Sequence, residues 1–151
     1  MGIEISPLRV RRSAFITAPP ARVWQELASQ ERLAAWYGIG HTVERLESKV
    51  GGEALLSVEV DGQKRRFGGR VLVFEPEHEL TYESDWLDEP AWPVPTFHTI
   101  RLSALHSGTH IEIFHHGFER MGASAGAELE DYEAGWTNRH LVKLREIVEG
   151  G

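Results

Sequence analysis

The chain has 151 residues, 41% of them hydrophobic and 26% charged, values of an ordinary globular protein that exclude a disordered or collagen-like chain. A formal net charge of -7 opposes unassisted binding to a phosphate backbone, and the lack of cysteine excludes disulfides, thiolate catalysis and cysteine-ligated zinc. No apolar run approaches the length that spans a bilayer, so the expectation is a soluble, cytoplasmic protein of one domain, residues 1–151, that engages neither membrane nor nucleic acid.

In chain order, "LRVRRSAFIT" (8–17) predicts a strand, and "APPARVWQELAS" (18–29) a helix, because Pro19 and Pro20 suit a first turn whose amide hydrogens have no partner. Val23 with Leu27 and Trp24 with Ala28 fall one turn apart and give that helix an apolar stripe. Ser29 is placed to cap a second short helix, "QERLAAWYG", in which Leu33, Trp36 and Tyr37 share a face before Gly38 ends it. After "VGG" (50–52) comes the strand "EALLSVEV", and Asp61-Gly62 is a strong hairpin signal leading into "QKRRFGGRVLVFEP". The basic runs "RVRR" (9–12) and "KRR" (64–66) read as solvated strand faces. "HELTYESDW" (78–86) continues the meander, and "LDEPAWPVP" (87–95) reads as a rim loop. "TFHTIRLSAL" and "THIEIFHHGF" form a last hairpin around "HSG", with the turn placed at Ser107 and Gly108. From Gly122 onward Leu129, Tyr132, Trp136, His140 and Leu144 recur at helical steps, which predicts one long amphipathic helix.

Strand, two short helices, an antiparallel meander and a long final helix together predict an α+β fold. The sheet's apolar face needs a cover, and the last helix is the element long enough to provide it. Strand twist bends the sheet away from a straight rod, which favours space between them. The segments 18–38, "GG" at 51–52, 68–86, 107–118 and 135–149, in this order, resemble the START-like, helix-grip superfamily that includes polyketide cyclases, and within it the branch similar to the activator of heat-shock-protein ATPase. The resemblance implies a curved antiparallel sheet gripping a C-terminal helix around a cavity for hydrophobic ligands, with no cofactor. It leaves open a ligand binder, a cyclase or hydrolase, and a chaperone-interacting module.

Alternation along the strands indicates what faces that interior. Ile100, Leu102 and Ala104 are apolar where their neighbours are not, which turns His98 inward; Ile111 and Ile113 do the same for His115 and send His116 outward. On 78–86 the inward set is Leu80, Tyr82, Ser84 and Trp86. A turn at Ser107 and Gly108 would put Ile100 opposite His115 and His98 diagonal to it. The candidate ligand-binding residues are therefore Trp36, Tyr82, Trp86, His98, His115, Tyr132, Trp136 and His140, with Trp92 as a lid residue in the 88–95 rim. Each aromatic has a plainer reading as core, as does Trp24. His98 and His115 are the candidates for a general base in an enzyme. No metal site is expected, since the histidines lack ligand spacing and no carboxylate is evidently placed inward with them. A small hydrophobic ligand is the expected partner, a chaperone the alternative, and monomer and homodimer are both compatible with the sequence.

Overall fold

The computed structural model describes residues 9–38, 41–88, 94–118 and 139–150. Seven strands, β1 (Arg9–Ile16), β2 (Thr42–Leu46), β3 (Glu53–Val60), β4 (Gln63–Glu75), β5 (Glu79–Trp86), β6 (Thr96–Leu105) and β7 (Gly108–His116), form one antiparallel sheet in the order β1-β7-β6-β5-β4-β3-β2. β1 and β2, consecutive along the chain, thus lie at opposite edges. The helices between them, α1 (Pro20–Trp24) and α2 (Gln30–Tyr37), carry the chain from one edge to the other, with α1 on β6 and β7 and α2 on β2. A third helix, α3 (Arg139–Gly150), meets α2 and β1, so helices cover one face of a curved sheet. This is the α+β helix-grip arrangement expected from the sequence.

Hydrophobic burial drives the closure. Ile16, Val23, Leu27, Trp36, Leu80, Ile100, Ile111 and Leu144 lose essentially all contact with water and form one continuous core. Leu141, Leu144 and Val148 give α3 its buried stripe at helical spacing. Polar bonds fix its position: Arg145 Nη2 donates to the Phe15 carbonyl at 2.9 Å, and Glu149 Oε2 accepts from the Thr17 amide at 2.9 Å. The expected helical residues Leu129, Tyr132 and Trp136 lie outside the described residues.

Three local features depart from the sequence expectations, each for a physical reason. The first helix is shorter than 18–29. After Trp24 the amides of Glu26 and Leu27 bond back three residues, to Val23 and Trp24, so the chain tightens and turns before Ser29 caps α2 through the Arg32 amide. β2 was not foreseen because a bulge between Val43 and Arg45 puts its buried residues, Val43 and Leu46, three apart rather than two, which hides the alternation.

The last hairpin turns at His106 and Ser107, with His106 at φ 55°, so Leu105 pairs with Gly108. Gly108 serves close approach rather than the turn: a Cβ there would sit 2.4 Å from the Phe15 ring of β1. The register therefore differs from the expected one by two residues, and His98 lies directly opposite His115. Beyond Leu102 the hairpin outruns the core, and Ala104, expected inward, is exposed. The Asp61-Gly62 turn forms as expected, with φ 52° and 77°.

Candidate functional site

Two neighbouring rows of side chains cross the inner face of the sheet, and they differ in chemistry. Leu80, Ile100 and Ile113 make one cross-strand row, wholly apolar. The next row is Tyr82, His98 and His115, bounded by Val71 on β4 and Val10 on β1, and all five are buried. Three titratable rings in succession are an unusual choice for a core row, because each polar atom must be satisfied where water does not reach.

A helix supplies part of that satisfaction. Tyr37, the last residue of α2, places its hydroxyl 3.0 Å from Tyr82 Oη and 3.0 Å from His98 Nδ1, while Tyr82 Oη lies 2.7 Å from the same nitrogen. With Nδ1 as acceptor, both phenolic hydrogens are used inside this triangle, whichever phenol donates to the ring, and His98 carries its hydrogen on Nε2. The protonation of His115 follows from its partner. Thr96 has one hydroxyl hydrogen, donated to the Ser84 carbonyl at 3.0 Å, so its 2.8 Å contact with His115 Nε2 must be donation from the ring. The His98 and His115 rings meet edge to face with centroids 4.2 Å apart.

Further rings extend the cluster. Phe118 packs 4.6 Å from His115, and Phe67 lies 6.4 Å from His98 and 5.6 Å from Trp86. His41 stands 5.5 Å from Tyr37, 5.9 Å from Phe67 and 5.8 Å from His140. Trp86 is half-buried, with the Arg65 guanidinium 4.1 Å from its ring centre, and Arg65 also donates to the Asp88 carbonyl at 3.2 Å.

Tyr37, His41, Tyr82, His98 and His115 are uncharged at neutral pH. Burial, followed by the neighbouring His115, His41 and His116, holds His98 well below the usual histidine range. Burial, and then His116, brings His115 to about 3, and burial with His140 brings His41 to about 4. Burial raises both phenols above the ordinary tyrosine range. Such a set of neutral donors and acceptors can orient an uncharged polar group, while its rings contribute apolar surface.

Of the residues expected at the site, Tyr82, His98, His115 and His140 come together inside, and Trp86 stands at the margin. Trp36 is placed differently: its indole N–H donates to the Glu26 carbonyl at 2.8 Å, which makes it the seam between α1 and α2. Tyr37, beside it on the same helical face, is the residue that reaches the cluster; the presence of a hydroxyl was the signal that distinguishes the two. His41, Phe67, Thr96 and Phe118 were also missed. Tyr132, Trp136 and Trp92 lie outside the described residues.

Charged groups are kept elsewhere. Among the described residues one carboxylate, Glu26, is buried, and it is held between Arg22 at 2.8 Å and Arg32 at 2.9 Å, away from the histidines. Lys64 and Arg66 of the basic run pair with Glu44, in keeping with a solvated strand face. No group of three or more potential metal ligands occurs among the described residues, and no helix there is long and apolar enough to cross a membrane. A separate cleft of about 350 Å³, lined by Glu47, Glu53, Leu55, Arg70 and Leu87, contains none of these rings.

Comparison with known proteins gives a consistent picture. The family model of Activator of Hsp90 ATPase homolog 1-like proteins matches residues 17–149. A protein from Chromobacterium violaceum of known structure is 27% identical, with a TM-score of 0.71 over 95% of this chain and 99% of that one. The Aha1 dimer of Colwellia psychrerythraea is similar in fold at 15% identity, with a TM-score of 0.60 over 93% and 96%. So is DynU16, a protein of the dynemicin biosynthetic locus, at 20% identity and a TM-score of 0.67, covering 95% of this chain and 48% of that one. No curated protein matches the sequence.

Proposed function

Since the chain belongs to the family of Activator of Hsp90 ATPase homolog 1-like proteins, we propose that it binds a small hydrophobic molecule, aromatic, polyketide-like or lipid-like, between the sheet and the C-terminal helical region. The observation that carries this reading is the buried row Tyr82, His98 and His115 with Tyr37 folded onto it. An all-apolar row like the adjacent Leu80, Ile100 and Ile113 would serve a core better, so the polar row is retained for another purpose. Tyr132 and Trp136 remain proposed lining residues, and Trp86 with Trp92 a proposed rim. The locus named for DynU16 supports a polyketide-like ligand only through shared fold.

Native mass spectrometry of the freshly purified protein, compared with the denatured chain, tests the reading. Extra mass lost on denaturation is expected, or failing that, saturable binding of an aromatic probe that Tyr82→Phe weakens. A clean apo mass together with no saturable binding of any aromatic probe would sink it.

The enzyme reading is weaker on physical grounds. A general base works best with a pKa near the operating pH, and both candidates, His98 and His115, are held far below it. Turnover lost in His98→Ala or His115→Ala with ligand affinity retained would reverse this preference. A chaperone-docking role would use the outer face, and a pull-down at micromolar concentration tests it.

A further inference from the structure

His41, a partly buried residue between α2 and β2, has simpler surroundings than the fully buried histidines. Its ring lies against Tyr37, Phe67 and His140, and its Nε2 is buried with no hydrogen-bond partner among the described residues. Such an atom is unfavourable in the unliganded protein, so a guest that hydrogen-bonds it gains what the fold leaves unmet. Phe67 connects this position to the polar row, since its ring also meets His98 and Trp86. The ring set from Trp86 to His140 therefore forms one aromatic wall with His41 as a polar point on it.

The charge around that point is equally specific. Tyr37, Tyr82, His98 and His115 are neutral at neutral pH. Arg65, a cation beside this wall, is held at its margin by the Trp86 ring and the Asp88 carbonyl. A carboxylate could accept from a neutral His41 N–H, but with His41 brought to about 4 there is almost no imidazolium at pH 7 to offset the cost of burying the carboxylate's charge. An uncharged oxygen carries no such cost.

We infer that His41 sets ligand specificity: its Nε2 hydrogen-bonds a hydroxyl or carbonyl oxygen on an uncharged aromatic or polycyclic molecule, and the site rejects the matching carboxylate. This rests on the ligand-binding reading above and adds to it the class of polar group recognised. Its signal in the sequence is slight, a lone histidine between a helix and a strand. Its force comes from an unmet buried nitrogen on an aromatic wall that adjoins the neutral row Tyr82, His98 and His115.

Equilibrium dialysis at neutral pH of 2-naphthol, naphthalene and 2-naphthoate against the full chain, stripped of any copurified molecule and refolded, tests it. The expected order has 2-naphthol several-fold tighter than naphthalene and at least about tenfold tighter than 2-naphthoate, the size of one good polar contact. In His41→Phe the advantage of 2-naphthol over naphthalene, read as the ratio of the two affinities within the variant, should vanish. Naphthoate binding as tightly as naphthol would overturn the inference and leave the binding reading standing. A naphthol advantage that survives in His41→Phe would remove His41 from the contact. Failure of all three probes would instead defeat the binding reading and the inference with it. The ranking in the unmodified protein decides the charge preference even if the variant does not fold.

Discussion

Adjacent residues on β7 put the same side chain into two opposite environments. His115 faces inward, donating to Thr96 in a row of neutral rings; His116 faces outward, its ring against Phe97 and its Nε2 2.9 Å from Thr99 Oγ1. The outer chain of contacts continues from Thr99 to Thr81 at 2.9 Å, then to Glu79 at 2.8 Å, which also takes Arg101 at 3.1 Å. The outer network thus ends on a charged pair at the solvent, whereas the inner one closes on phenols, a hydroxyl and a carbonyl. The inner network leaves His98 Nε2 and His115 Nδ1 buried with no hydrogen-bond partner among the described residues, and it uses no charged pair, whereas the outer one does. That restriction makes the inner row sensitive to protons and suited to an uncharged guest.

The largest expected effect breaks this contrast with acid. Unfolding frees His41, His98 and His115 to take up protons near their ordinary value of 6.5, which the folded state resists, so below that pH the unfolded chain binds more protons and stability falls as pH falls. Each group contributes a slope of up to about 1.4 kcal/mol per pH unit, about 4 kcal/mol for the three together. The loss runs from about 6.5 downward; His41's share ends near 4, where it titrates in the folded protein, and that of His115 near 3. Against a typical total of about 5–15 kcal/mol, unfolding is expected within that window. Urea midpoints across it provide the check, and a flat profile would mean that these rings are hydrated in the folded state.

Glu26 sharpens the comparison from the other direction, since it is a buried charge that is fully matched. Glu26→Ala removes a carboxylate shared by Arg22 and Arg32, both of which can reach water afterwards. The expected cost is about 2 kcal/mol, because the lost contacts are charge-assisted but the stranded partners are not buried. For a chain of this size that lowers Tm by about 4–8 °C, measurable by calorimetry. Tyr82→Phe should cost about 1 kcal/mol by removing the hydroxyl shared by Tyr37 and His98. Loss of probe affinity beyond that stability change would separate a ligand contact from a structural one.

Most of the fold was legible because its signals are local and repeated. Asp61-Gly62 fixes a turn, Ser29 caps α2, and alternation places Leu80, Tyr82, Ile100 and His98 on one face without knowledge of any partner strand. The register of β6 on β7 was not legible. It depends on Gly108 making room for Phe15, a contact between residues remote in sequence, and a shift of two residues is what separates diagonal histidines from facing ones. Tyr37 and His41 were missed for a related reason. Periodicity assigns a residue to a face, but whether Trp36 or Tyr37 meets the sheet depends on how α2 lies across it, and His41 has no period to betray it.

The smallest expected effect lies on the outer surface. Lys64→Ala deletes the lysine paired with Glu44, yet that carboxylate keeps Ser57 Oγ at 3.1 Å and Arg66 at 3.5 Å, and Lys64 is half-exposed. Stability should change by less than about 0.5 kcal/mol, and salt should shrink even that, because exposed charges are screened over a few ångströms. Probe binding at the inner row should not change at all, since among the described residues Lys64 pairs with Glu44 and with no residue of that row. Denaturant midpoints in low and high salt give the stability comparison, and dialysis with 2-naphthol gives the binding one. If Lys64→Ala weakened the probe as strongly as Tyr82→Phe, the two faces would be coupled through the sheet, and the neutrality of the interior could no longer be treated as independent of the charges outside it.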